Sequence, residues 1–176
     1  DVGYRTAIYG KWHLGNSPDR HPTAHGFDEW YGIPDSTATA MHSSLTGFEQ
    51  WMETPKIWEG RAGQPAEALA EYDLDNRPLI DEWITTRACA FIDERGRDRH
   101  PFFLYVPLTQ VHHPALPHPD FAGASGNTAF ADCMIEVDHR TGQMLDALDA
   151  AGLADDTLVV WASDNGPVLI PSFGPQ

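Results

Sequence analysis

The sequence has no long apolar run. None of its stretches approaches the ~20 residues needed to cross a bilayer, so no membrane-spanning helix is read from it. Basic residues are scarce, with 11 Lys and Arg against 26 Asp and Glu and a formal net charge of −15. Such a surface repels a phosphate backbone, and the few cations form no stripe interleaved with aromatics, which excludes nucleic-acid binding. There are only two cysteines, Cys89 and Cys133; they allow one bridge at most, and their spacing matches no zinc or redox motif. A basic-then-apolar leader is also missing. The chain opens at Asp1 rather than Met and breaks off soon after an apolar run, so it reads as an internal stretch of a longer protein whose compartment stays open. What is present suffices for one packed core: 176 residues, 41% hydrophobic, with 8 Phe, 6 Trp and 5 Tyr.

Three segments read as strands. Thr157 to Ala162 is a continuous β-prone apolar run of the kind covered on both faces in a parallel sheet. Phe102 to Val106 lies between Pro101 and Pro107, and Arg5 to Tyr9 stops at Gly10. All three are expected to be central. Two helices are expected. One opens near Asn76 and Pro78 and stops at Gly96; the other runs from Thr128 to Ala151, with Phe130, Met134, Val137, Thr141, Leu145 and Leu148 on one stripe. Gly142 inside the second helix suggests a close approach to a neighbour, and Asp132, Glu136, Asp138 and His139 read as its solvent face. The alternation implies an α/β sheet flanked by crossover helices. Three Pro/Gly/His-rich connections, 16–35, 53–77 and 112–127, are long enough to line a site.

In open parallel sheets ligands bind beyond the carboxyl ends of the strands. Polar clusters follow all three strands: Lys11 and His13 after the first, His112 and His113 after the second, Asp164 and Asn165 after the third. Extended backbone would point Lys11 and His13 to one side, a pair suited to an anion. Asp164 and Asn165 are hard oxygen ligands suited to Ca²⁺ or Mg²⁺, but two donors fall short of calcium's six to eight. His112, His113 and His118 fit no common zinc spacing.

The segment Gly3-Tyr4-Arg5-Thr6-Ala7-Ile8-Tyr9-Gly10-Lys11-Trp12-His13-Leu14-Gly15 resembles a signature of the type I, formylglycine-dependent sulfatases. His25-Gly26-Phe27-Asp28 to Tyr31-Gly32, Pro101 to Tyr105, Val111-His112-His113-Pro114 and Ser163-Asp164-Asn165-Gly166-Pro167 follow in that family's order, so the resemblance covers almost the whole chain. It implies an alkaline-phosphatase-like, mostly parallel sheet flanked by helices, with the whole of 1–176 forming the central part of one catalytic domain truncated at both ends. It further implies that Lys11 holds a sulfate oxygen, that His13 contacts the hydrated aldehyde nucleophile, and that His112 serves the leaving group. His113 is a rival for the last role, because Val111 stands where the family has Pro. Asp164 and Asn165 match two ligands of a divalent cation, usually calcium.

The family's nucleophile motif, Cys or Ser followed by x-Pro/Ala-x-Arg, is absent. Neither Cys89-Ala-Phe-Ile-Asp nor Cys133-Met-Ile-Glu-Val supplies it, so formylglycine is expected upstream of Asp1 and the fragment alone is expected to be inactive. The function implied is hydrolysis of a sulfate monoester, whether aryl, steroid or carbohydrate. Two alternatives remain at this point: a phosphate or phosphonate ester hydrolase of the alkaline phosphatase superfamily, and a noncatalytic, metal-binding sulfatase-like protein.

Overall fold

The computed structural model describes residues 3–166. Five strands form one sheet: β1 (Arg5–Lys11), β2 (Glu29–Ile33), β3 (Lys56–Arg61), β4 (Glu67–Glu71) and β5 (Phe102–Tyr105), in the order β4-β3-β2-β1-β5. β1 is parallel to both neighbours, pairing Ala7 with Glu29 on one side and Leu104 on the other, whereas β2–β3 and β3–β4 are antiparallel. The α/β reading holds, in a mixed sheet.

Two helices, α1 (Ile80–Asp98) and α2 (Ala129–Ala150), cover one face. Alternation along β1 and β2 sends Ala7, Tyr9, Tyr31 and Ile33 toward them, where they pack on Ile80, Ile84, Ala88 and Phe91 of α1. Each fully buried aliphatic side chain contributes about 1.5–3 kcal/mol through loss of water contact. On the opposite face Ile8 and Trp30 are buried under residues 12–28, with the His21 ring 4.6 Å from Trp30 and 5.3 Å from Trp58.

The second helix starts as the sequence predicts: the Thr128 hydroxyl accepts a hydrogen bond from the Ala131 amide at 3.3 Å and caps it. Its buried face is rotated from the expected stripe. Asp132, Cys133, Glu136, Arg140 and Leu148 are buried, while Met134 and Leu145 are exposed, each at 43%. Counting apolar residues alone misplaces the stripe because this helix turns polar side chains inward, where loop backbones need partners. Asp132 and Glu136 are therefore not on a solvent face.

The first helix runs through Gly96 instead of stopping there. A Cβ on Gly96 would overlap Ala151, so this glycine marks the close approach of the two helices, whereas nothing lies within van der Waals reach of Gly142. Three strands lie inside connections read as loops. β2 has a legible signal in Glu-Trp-Tyr-Gly-Ile, but Glu67-Ala-Leu-Ala-Glu71 has helix-forming composition and is a strand only because β3 pairs with it.

The largest correction concerns residues 157–162, which form no strand. Leu158 is 90% exposed and Val160 79%. A strand exists through its neighbours, and β5, the sheet edge nearest in topology, pairs only with β1 among the described residues. Of the three strands expected to be central, β1 alone has neighbours on both sides.

Candidate active site

The carboxyl ends of β1, β2 and β5 meet at one edge of the sheet. Lys11 is the last residue of β1, Pro34-Asp35-Ser36 follow β2, and the loop from Val106 to His113 follows β5. The backbones converge tightly there. Gly10 and Gly32 are paired in register with φ of 142° and 145°; a Cβ on Gly32 would overlap the Gly10 carbonyl, and one on Gly10 would overlap the carbonyl of Pro107. The Lys11 amide donates to the Pro107 carbonyl at 2.9 Å, and the Trp12 amide to the Ile33 carbonyl at 2.9 Å, so all three site segments leave the sheet from fixed points.

Lys11 is half-buried, and desolvation lowers its ammonium pKa, opposed by the carboxylates of Asp164 and Asp35 and assisted by the Arg77 guanidinium. These charges therefore act on one cation. His112 also has its pKa lowered, first by desolvation and further by the charges of Lys11, His113 and Arg77, against the hydrogen bond to the His113 carbonyl, which raises it. Its Nδ1 lies 2.8 Å from the His113 carbonyl, which can only accept, so Nδ1 carries hydrogen and Nε2 is the atom left to exchange a proton. The two imidazoles stack with centroids 4.3 Å apart.

His13 departs from expectation. Its φ of 62° places it in the left-handed region, so the alternation that would align it with Lys11 ends one residue earlier; the side chain is exposed. His118 has partners of its own. It is buried, with Nε2 at 3.3 Å from Glu82 and Nδ1 accepting from the Asp120 amide at 3.2 Å. Asp164 and Asn165 are exposed; the Asn165 amide nitrogen donates to the Gly166 carbonyl at 2.7 Å, which leaves its oxygen as the group to meet a cation. Pro167, the last residue of that motif, lies outside the described residues. Two hard oxygen donors fit a divalent cation in kind but not in number, and no group of three His, Cys, Asp or Glu side chains able to hold a metal occurs among the described residues.

Beneath the His112 loop is a buried polar cluster that the sequence did not reveal. Arg77 is fully buried; it donates to the Thr109 hydroxyl at 3.0 Å, to Gln110 Oε1 at 2.6 Å and to the His112 carbonyl at 3.0 Å. Asp81 Oδ1 accepts from the Thr109 amide and hydroxyl at 2.8 and 2.9 Å, and Oδ2 accepts from the Gln110 amide at 2.9 Å. Gln110 Nε2 donates to the Leu116 carbonyl and to Glu136 Oε2, which also accepts from the His118 amide. Burial raises the Glu136 carboxyl pKa. A lone Arg before a Pro carries no sequence signal of burial.

Neither cysteine is poised as a nucleophile. Burial pushes the Cys133 thiol up to about 12 and raises Cys89, whose thiol donates to the Gln143 carbonyl.

The sulfatase family profile matches residues 1–175. Human N-acetylgalactosamine-6-sulfatase is 31% identical over 96% of this chain and 31% of its own length, and bovine arylsulfatase A is 35% identical over 94% of this chain and 34% of its own length. A Bacteroides thetaiotaomicron N-acetylgalactosamine-6-O-sulfatase is 27% identical over the whole chain. The crystal structure of a Pseudoalteromonas sulfatase superposes with a TM-score of 0.79 at 26% identity, covering 86% of this chain and 33% of that one. The chain thus spans about a third of the length of the relatives it matches. With the profile covering nearly every residue and the fold shared, this chain belongs to the sulfatase family.

Proposed function

We propose that the full-length protein hydrolyses sulfate monoesters and that this chain supplies the part of the site that binds the sulfate anion and protonates the leaving group. The observation that carries the reading is the convergence of Lys11 and His112, from two different strand ends, at one edge of the sheet in a chain of this family. In this reading Lys11 pairs with a nonbridging sulfate oxygen, and its partial desolvation strengthens that pairing relative to water. His112, protonated at Nε2, gives its proton to the bridging oxygen as the ester S–O bond breaks. The alcohol leaves neutral, and the sulfur gains a new bond to the incoming oxygen nucleophile. His113, whose carbonyl orients the His112 ring, is left in a supporting place.

The nucleophile, formylglycine by family resemblance, and the remaining metal ligands belong to the part of the relatives' length that this chain does not span. Asp164 and Asn165 would hold a divalent cation, calcium by donor type, which when bound screens charge on the sulfate oxygens. His13, in its left-handed turn, would face the nucleophile. Carbohydrate sulfates are the substrate class of choice, because the relatives named above include two N-acetylgalactosamine-6-sulfatases. The test is sulfate release by the full-length protein from 4-nitrophenyl sulfate and from 6-sulfated N-acetylgalactosamine, beside 4-nitrophenyl phosphate. Turnover of the sulfates that is lost in Lys11→Ala supports the reading; turnover of the phosphate alone overturns it.

A further inference from the structure

We propose that Arg77 is a positioning residue for the His112 imidazole, acting through the backbone and side chains of residues 109–112. The inference rests on the reading of His112 as the leaving group's proton donor.

Arg77 is 0% exposed, and a buried cation is costly unless it finds acceptors; its Nε has none among the described residues, so its two terminal nitrogens carry all of the guanidinium's hydrogen bonds. Its acceptors all lie on one short segment: the Thr109 hydroxyl, the Gln110 side-chain oxygen and the His112 carbonyl. The fork thus spans three of four consecutive residues and ends on the residue that carries the imidazole. Arg77 is itself anchored, its amide donating to the Asp73 carbonyl at 2.9 Å, in a turn where the Asp73 carboxylate accepts from the Asp75 and Asn76 amides. Asp81, in the first turn of α1, holds the same loop through the Thr109 and Gln110 amides.

This arrangement exceeds what burial of the loop requires. The placement of the His112 ring depends on where its Cα sits and on its torsions. That position is set by a carbonyl held from below at 3.0 Å, while Nδ1 is held by the next carbonyl at 2.8 Å. Together they fix Nε2 in space. A proton donor misplaced by about 1 Å loses roughly a hundredfold in rate. Arg77 acts on Lys11 through its electrostatic field, and no hydrogen bond joins the two among the described residues, so sulfate binding should be largely spared.

The experiment is a double-mutant cycle in the full-length protein using Arg77→Met, His112→Ala and the double variant, with an alkyl sulfate and 4-nitrophenyl sulfate as substrates. Arg77→Met should lower kcat on the alkyl sulfate by roughly a hundredfold with KM little changed, and kcat on 4-nitrophenyl sulfate by less than about threefold, because only the poor leaving group needs the proton. In the double variant the two losses should not multiply, since both remove the same proton transfer. Arg77→Lys, which keeps the charge but cannot reach three acceptors, should show the same substrate-dependent loss if Arg77→Met fails to fold. Equal losses on both substrates, or multiplied losses in the double variant, overturn the positioning role while leaving His112 intact as donor. If His112→Ala itself shows no dependence on the leaving group, the reading of His112 falls, and this proposal falls with it.

Discussion

Two regions of the chain carry the same sequence signature, a β-prone apolar run followed by a polar cluster, and they end in opposite states. Phe102 to Tyr105 pairs with β1 and feeds a loop held from beneath by Arg77, Asp81 and Glu136. Residues 157–162 have the stronger β pattern yet form no strand and leave Trp161 67% exposed. Intrinsic preference is similar in both; partners differ. β5 finds β1 on one side and α1 and α2 over Phe102 and Leu104, whereas nothing among the described residues covers the later run. Preference for extended backbone is worth a fraction of a kcal/mol per residue and does not make a strand without a ladder.

Breaking the built region should have the largest effect. His112→Ala in the full-length protein is expected to lower turnover of alkyl sulfates by ~10²–10⁴-fold, the usual contribution of a positioned general acid, and to affect activated aryl sulfates far less. Steady-state kinetics on the two substrate types checks this, and equal losses on both would remove the general-acid role. Next comes Glu136→Ala, which strips the acceptor from Gln110 and from the His118 amide and leaves buried Arg140 without its carboxylate at 3.5 Å. A loss of about 3 kcal/mol is expected from denaturant unfolding, because an uncompensated buried charge remains. A loss under about 1 kcal/mol would mean that the cluster is not what holds the loop.

These residues also mark what was legible in the sequence. Lys11, His112, Asp164 and Asn165 stood out because chemistry-bearing side chains followed apolar runs in a fixed order, and the structure places Lys11 and His112 at one edge of the sheet. Arg77, Asp81 and Glu136 were not legible. Their role comes from burial, which long-range packing decides and local pattern does not record; Glu136 on an amphipathic helix reads as solvent-facing until the loop it serves is folded beside it. The rotation of the second helix has the same cause. The close approach expected at Gly142 occurs at Gly96 instead, because a helical glycine signals that space is needed without saying by whom. β4, built of Glu, Ala and Leu, is specified by pairing with β3 rather than by composition, and β3 offers only Ile57 and Trp58 as a local signal.

The unbuilt region offers a sharper comparison at smaller magnitude. Val160→Asp in this 176-residue chain should change stability by less than about 0.5 kcal/mol, as expected for an exposed position. In the full-length protein, where the run would acquire strand neighbours, the same change should cost more than about 2 kcal/mol, because a charge would be buried. Urea unfolding of the two pairs decides the matter. An equal, small effect in both would show that residues 157–162 stay uncovered in the whole protein, and that their apolar character answers to something other than the sheet.

The smallest expected effect is a displacement of the pH profile, and it isolates the electrostatics of the built region. His112 has its pKa lowered by desolvation and by the positive charges of Lys11, His113 and Arg77, so in the free enzyme the imidazolium is lost below the ordinary imidazole midpoint. A general acid works only while protonated. kcat/KM for an alkyl sulfate should therefore fall as pH rises, with its midpoint on the acid side of that ordinary value. Bound sulfate brings a negative charge that offsets Lys11 and favours the imidazolium, so the falling limb of kcat, which reports the complex, should lie at higher pH than that of kcat/KM. Replacing Lys11 by Met removes one of the cations and should move the kcat/KM limb toward the ordinary midpoint in whatever activity remains. A limb that stays put in Lys11→Met would separate the two residues and leave desolvation, with the charges of His113 and Arg77, as the cause of the His112 shift.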